Sequence, residues 1–199
     1  MPFMELKLTI SIRFDYNANE MKKACTNLGL EAGSDTTDEE IAMIWNGINA
    51  AAIASGVDHR FILAIMMQES KGCVRIWTTA NANSNPGLMQ DHDGPNTCNS
   101  NGILQKPCPQ STISGMVQDG VGGTATGDGL AAYLNQVVQH TGNVDGGSAQ
   151  VYYQAARLYN SGSIDYRDLN QAFQSTPCYA NDIANRLTGW MFAPTQCVV

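Results

Sequence analysis

The sequence predicts a mainly α domain, α+β at most, with a helical lobe and one irregular, disulfide-stapled loop lobe. Three observations predict it: several segments carry apolar residues at helical spacing, a long run of turn formers separates them, and the cysteines number six. With 199 residues the chain has the length of one ordinary domain and can enclose a sizeable core. Residues 1–35 read as a peripheral segment and 36–199 as the main domain.

Taken in order, Leu6, Leu8, Ile10, Ile12 and Phe14 alternate with Lys7, Thr9, Ser11 and Arg13, which is strand periodicity, so an edge strand is expected there. A polar stretch around Asn17 and Asn19 follows, then Gly29, Gly33 and Ser34. Thr37-Asp38-Glu39-Glu40 is a capping box and opens a helix with Ile41, Ile44, Trp45, Ile48, Ala51 and Ala52 on one face, ended by Gly56. Asp58 caps a second helix whose body, Phe61 to Met67, is apolar nearly all round and so belongs at the centre. That helix delivers Gln68-Glu69-Ser70 at its end, before Gly72. Residues 71–110 are rich in Asn, Gly and Pro and read as loops with at most short strands, where function usually resides. Helices are expected again at 111–119, at about 128–140, from Ser148 to Gly162, and at about 179–187, with turns at Gly120, Gly122 and Gly123 and at Gly142, Gly146 and Gly147.

Charge narrows the function classes. Lys and Arg total 11 against 18 Asp and Glu, a net charge of −7, so the basic footprint of nucleic-acid or anionic-membrane binding is missing. No apolar run approaches the roughly 20 residues of a membrane span. Cys25, Cys73, Cys98, Cys108, Cys178 and Cys197 contain no zinc-type pair, so disulfides and a secreted protein are expected, against the alternative of buried thiols in a cytosolic chain. Cys98 and Cys108 are close enough to staple a small loop, worth roughly 3 kcal/mol by loop closure. Met1 to Phe14 offers no secretory core of roughly 7 to 15 apolar residues. Secretion therefore requires that a signal was removed from this chain or that the true start lies elsewhere.

Four local features carry chemistry. Glu69 sits at a helix C-terminus after an apolar turn, where dipole and desolvation both raise a carboxyl pKa toward the range useful for general acid catalysis. Gly87-Leu88-Met89-Gln90 follows a tight turn, Tyr159-Asn160-Ser161-Gly162 closes a helix, and Tyr179 opens another. Taken singly, each is a solvated cap, a turn or core packing.

As an ordered set, Gln68-Glu69-Ser70, Gly87-Leu88-Met89-Gln90, Tyr159-Asn160-Ser161-Gly162 and Tyr179 resemble the goose-type lysozyme and soluble lytic transglycosylase family, glycoside hydrolase family 23, in its small secreted fungal style. The resemblance spans about residues 36–189. It implies a lysozyme-like fold with a substrate cleft between the two lobes, and cleavage of the β-1,4 bond between N-acetylmuramic acid and N-acetylglucosamine in peptidoglycan. Glu69 would be the acid, Gly87 and Met89 would line the cleft through backbone groups, and Gln90 would orient the loop or a sugar. Tyr159 and Asn160 would face Glu69, Tyr179 would close the far side, and Ser70 would bond the substrate or Glu69. Hydrolysis is expected, and in its inverting form needs a second carboxylate about 6.5 to 9.5 Å away, whereas the alternative, a lytic transglycosylase giving 1,6-anhydro ends, uses the substrate's own 6-hydroxyl. No Asp or Glu lies between Ser70 and Pro86, so the family's aspartate before the GLMQ segment is missing, and the candidates for the base are Asp91, Asp93 and His92 just after it. No metal and no cofactor are implied, and a monomer is expected. Chitin, a neutral polymer with the same linkage, is the competing substrate, and a non-catalytic carbohydrate binder the competing class. The acidic balance points to an optimum below neutrality.

Overall fold

The computed structural model describes residues 2–80, 83–142, 148–191 and 193–195, with only the backbone of 2–13. Its helices, among those residues, are α1 (Pro2–Asn27), α2 (Asp38–Ser55), α3 (His59–Glu69), α4 (Gln110–Gly122), α5 (Leu130–Thr141), α6 (Ala149–Ser161) and α7 (Tyr179–Thr188). Between α3 and α4 stand two minimal antiparallel hairpins, β1 (Thr79–Ala80) with β2 (Ser84–Asn85), and β3 (Asn99–Ser100) with β4 (Ile103–Leu104). The protein is thus mainly α, and no described helix is long and apolar enough to cross a membrane.

The capping box at Thr37 forms as its residue types require. Its hydroxyl accepts from the Glu40 N–H at 3.2 Å, while Glu40 Oε2 accepts from the Thr37 N–H at 2.9 Å. Gly56, at φ 75°, ends α2. Asp58 caps α3 through the Arg60 N–H at 2.8 Å, and every side chain from Phe61 to Met67 is buried. A helix apolar on all sides needs neighbours on all sides. α1, α2 and α7 all pack on it, while α2 also packs on α4 and α6 on both α5 and α7.

Two expectations about local structure are corrected. The segment from Leu6 to Phe14 is helical, as part of α1, and not an edge strand. Its two-residue alternation runs straight into a helical stripe in which Phe14, Asn17, Met21, Ala24 and Cys25 are all buried. Extending an existing helix costs far less than starting a new element, so the stripe carries the segment with it. Gly120 and Gly122 lie inside α4 rather than in a turn, and Gly123, at φ 91°, ends that helix. Ser148 stands at the N-cap of α6 without a side-chain cap bond, and Gly146 and Gly147 lie outside the described residues.

The irregular segment after α3 is held by cross-links rather than by a sheet. Disulfides join Cys25 to Cys73 and, as its short spacing suggests, Cys98 to Cys108. Cys178 is disulfide-bonded too, and Cys197 lies outside the described residues. Glu40, 1% exposed, pairs with Arg75, 2% exposed. Arg75 also donates to the carbonyls of Ser34 (3.2 Å), Asp35 (3.3 Å) and Gln105 (2.9 Å), and Glu40 Oε1 accepts the Cys108 N–H at 2.8 Å. Burial alone would push the Glu40 carboxyl up, but Arg75 and the two amide donors bring it below the ordinary carboxylate range.

Removing one partner strands the other charge in the core. Arg75→Met or Glu40→Leu alone should therefore lose about 3–5 kcal/mol in urea unfolding, while the double replacement should recover much of that loss. Single-variant losses under about 1 kcal/mol would contradict this account of the pair.

Candidate active site

Glu69 is the last residue of α3, where the buried helix reaches a polar pocket. The Tyr179 hydroxyl donates to its Oε1. Burial pushes the Glu69 carboxyl up to about 7, against opposing contributions from that hydroxyl and from the nearby Lys71 charge. Lys71, left-handed at φ 55°, turns back so that Nζ donates to the Gln68 carbonyl at 3.1 Å. Its own pKa is lowered to about 8 by burial and by Arg186.

The pocket measures about 500 Å³ and is lined by Glu69 together with Thr79, Asn85, Gln90, Asn160 and Thr176, among others. Among the described residues Glu69 is the only acidic side chain that lines it. Tyr159 also lines it, and its hydroxyl donates to the Met89 carbonyl at 2.8 Å. Tyr179 is 2% exposed and meets the pocket only through its bond to Glu69. Gln90 and Tyr159-Asn160 thus share the pocket lining with Glu69, and Tyr179 reaches the carboxyl through a hydrogen bond.

The GLMQ segment holds that arrangement together, and of its residues Gln90 lines the pocket. Gly87 is left-handed at φ 71°, and a Cβ there would come within 2.7 Å of Met116 Cγ and 2.9 Å of the Asn96 carbonyl. Its carbonyl accepts from the Gln90 N–H at 3.1 Å and from Gln90 Nε2 at 3.0 Å, and the Met89 carbonyl is taken by Tyr159. Neither Gly87 nor Met89 is among the residues that line the pocket. Gln90 does line it, while Nε2 donates to the Trp77 carbonyl at 3.3 Å and Oε1 accepts from Thr79 at 2.9 Å, so it orients the loop.

The residues proposed as bases sit elsewhere. Asp91 is 4% exposed; Oδ1 accepts the Gly94 N–H at 3.0 Å and Oδ2 has no hydrogen-bond partner among the described residues. Burial, with Asp119 nearby, pushes it up to about 7. Asp119 is itself raised by burial, while Asn96 Nδ2 donates to it at 2.7 Å. Asp93 uses Oδ1 on the Ser84 N–H (2.9 Å) and Oδ2 on Thr126 (3.4 Å), with His92 Nε2 at 3.5 Å. None of Asp91, His92 or Asp93 lines the Glu69 pocket. Ser70 is fully buried; its hydroxyl donates to the Met66 carbonyl and accepts the Gly72 N–H, both at 3.2 Å, so it closes the helix rather than facing Glu69.

One wall was not anticipated. Gln174, Ser175 and Thr176 line the pocket, carried by the irregular stretch between α6 and α7. Arg157, fully buried, organises it: Nη1 donates to the carbonyls of Thr176 (2.8 Å), Pro177 (3.3 Å) and Leu169 (3.5 Å), and Nη2 to Asn160 Oδ1. Asn160 Oδ1 also accepts the Thr176 N–H at 3.1 Å. Phe173 and Gln174, at φ 50° and 76°, are consecutive left-handed residues, a strain of about 1–3 kcal/mol each that surrounding bonds must hold. Arg157 next to the Tyr-Asn motif was the available signal, since a buried arginine must find carbonyls.

No group of three or more His, Cys, Asp or Glu among the described residues could hold a metal ion. No protein-family model matches the chain, and no curated protein or solved structure matches it.

Gly120 is the tightest point behind the site. A Cβ there would lie 2.3 Å from Met89 Cβ and 2.9 Å from the Tyr159 hydroxyl. Gly120→Ala should cost about 1–3 kcal/mol by overpacking although alanine favours helix. An unchanged or raised unfolding midpoint would show that this approach is not tight.

Proposed function

We propose that the chain is a secreted muramidase of the goose-type lysozyme and lytic transglycosylase kind, cleaving the β-1,4 bond between N-acetylmuramic acid and N-acetylglucosamine in peptidoglycan. The observation that carries the reading is Glu69, a carboxyl raised to about 7 by burial and opening on a polar pocket. In this reading the pocket is the centre of a cleft between a helical lobe and a loop lobe, and the disulfides suit an oxidising compartment.

Glu69, protonated, gives its proton to the glycosidic oxygen as the bond to the anomeric carbon breaks and its electron pair passes to that oxygen. Tyr179, donating to Oε1, leaves the other oxygen to carry the proton and stabilises the carboxylate that remains once the proton departs. The oxocarbenium-like centre is then captured by water, whose proton passes to a base, giving a reducing end, or by the sugar's own 6-hydroxyl, whose proton returns to the Glu69 carboxylate, giving a 1,6-anhydro end. Hydrolysis needs a base to take the proton from the attacking water, and none of the candidates Asp91, His92 and Asp93 lines the pocket. The second reading, transglycosylation, is favoured by the lining itself, which offers no acid besides Glu69 among the described residues.

Mass spectrometry of fragments released from purified peptidoglycan by wild type and Glu69→Gln tests both. Wild type should release fragments, and Glu69→Gln should lose about 10²–10⁴-fold in rate. Reducing ends would mean hydrolysis and anhydro ends transglycosylation; turnover of chito-oligosaccharides alone would move the substrate to chitin, and sugar binding without turnover would leave a binder.

The sign of the pH dependence follows from the raised pKa. The active form is the protonated one, so activity is retained below about 7 and falls about tenfold per pH unit above it. A flat or alkaline profile of initial rates would contradict Glu69 as the acid.

A further inference from the structure

A second pocket, of about 410 Å³, adjoins the first, and Thr176 lines both. Gln68 and Lys71 reach it from the end of α3, on either side of Glu69 in sequence, and Arg186 from α7. The Lys71 charge acts on Glu69 and itself feels Arg186 and Asp182, so the two pockets lie within electrostatic reach.

Its charges are fixed in place. Arg186 donates through Nε to Gln68 Oε1 at 2.9 Å and through Nη1 to the Met191 carbonyl at 3.2 Å, and Gln68 Nε2 donates to Asp182 Oδ2 at 3.4 Å. An arginine has five N–H donors and a lysine three. Lys71 uses one, on the Gln68 carbonyl, so both cations keep donors. Asp182 is 9% exposed and already bonded, whereas Glu20 is exposed at the same pocket. Trp190, 63% exposed, adds a large apolar face. A chain of net charge −7 thus places two of its 11 cations beside an accessible carboxylate and an open indole.

That mixture suits a short peptide bearing both signs of charge. In peptidoglycan the muramic acid carries such a peptide on its 3-O-lactyl group, with carboxylates and, at a diamino residue, an ammonium. It leaves from the same sugar whose glycosidic bond the acid protonates, and the second pocket shares Thr176 with the pocket that holds the acid. We propose that the second pocket receives the stem peptide of the substrate's muramic acid, its carboxylates on Lys71 and Arg186, its ammonium toward Glu20 and its apolar surface on Trp190. This rests on the muramidase reading and gives it a substrate preference, since chitin carries no such peptide.

The test compares kcat/KM on purified glycan strands with intact stems and on the same strands stripped by an amidase, for wild type, Arg186→Ala and Trp190→Ala, each checked for an unchanged thermal midpoint. Both variants should lose about tenfold or more on intact strands, the size of one lost bond to a charged group, and stay within about twofold of wild type on stripped strands. Trp190→Ala decides alone if Arg186→Ala unfolds, because its ring is exposed beyond α7. Equal losses on both substrates, or no loss on intact strands, would overturn the subsite while leaving the muramidase reading in place. No turnover of either substrate by wild type would overturn the muramidase reading and the subsite with it.

Discussion

A charge pair buried away from the Glu69 pocket holds the irregular part of the protein in place. Glu40 and Arg75 are both almost fully enclosed, an arrangement that is costly unless every donor and acceptor is used. Glu40 closes the capping box of α2 and receives the Cys108 N–H, while Arg75 binds three carbonyls on segments far apart in the chain. Asn99 Nδ2 donates to the Arg75 carbonyl at 2.9 Å, so the β3 hairpin is tied to the same centre. With only two-residue strands to share backbone bonds, residues 71–110 depend on this pair and on the disulfides at Cys73 and Cys98.

The chemistry of the site follows from a second constraint, the burial of α3. A helix enclosed on all sides carries Glu69 into a desolvated position, and desolvation is the largest influence on its carboxyl. Around it, contacts rather than regular structure set the geometry. Tyr179 holds one carboxyl oxygen, Tyr159 is held by the Met89 carbonyl, and that approach is possible because residue 120 has no side chain. Arg157 does for the wall at Gln174 to Thr176 what Arg75 does for the loops, using one buried guanidinium to gather carbonyls.

What the sequence made legible was local. The caps of α2 and α3, the all-round apolar body of α3, Glu69 at its end and the Cys98–Cys108 staple are each written in a few neighbouring residues. The misses are non-local. Two-residue alternation before Phe14 resembled a strand because the deciding helical stripe lies downstream of it. Gly120 and Gly122 resembled a turn because the neighbours that require Gly120, Met89 and Tyr159, are distant in the chain. The commitments of Ser70, Gly87, Met89 and Asp93 to internal bonds, and the wall gathered by Arg157, depend on partners that no spacing rule supplies.

The central claim is that burial keeps Glu69 protonated near neutrality, and its most direct test is the carboxyl itself. Carbon-13 NMR of protein labelled at glutamate side-chain carboxyls, titrated in wild type and in Glu69→Gln, would assign the resonance by its absence from the variant. A titration midpoint near 7 is the result predicted here. A midpoint near the ordinary glutamate value of about 4.3 would contradict the account, because a carboxyl ionised at neutral pH cannot serve as its proton donor.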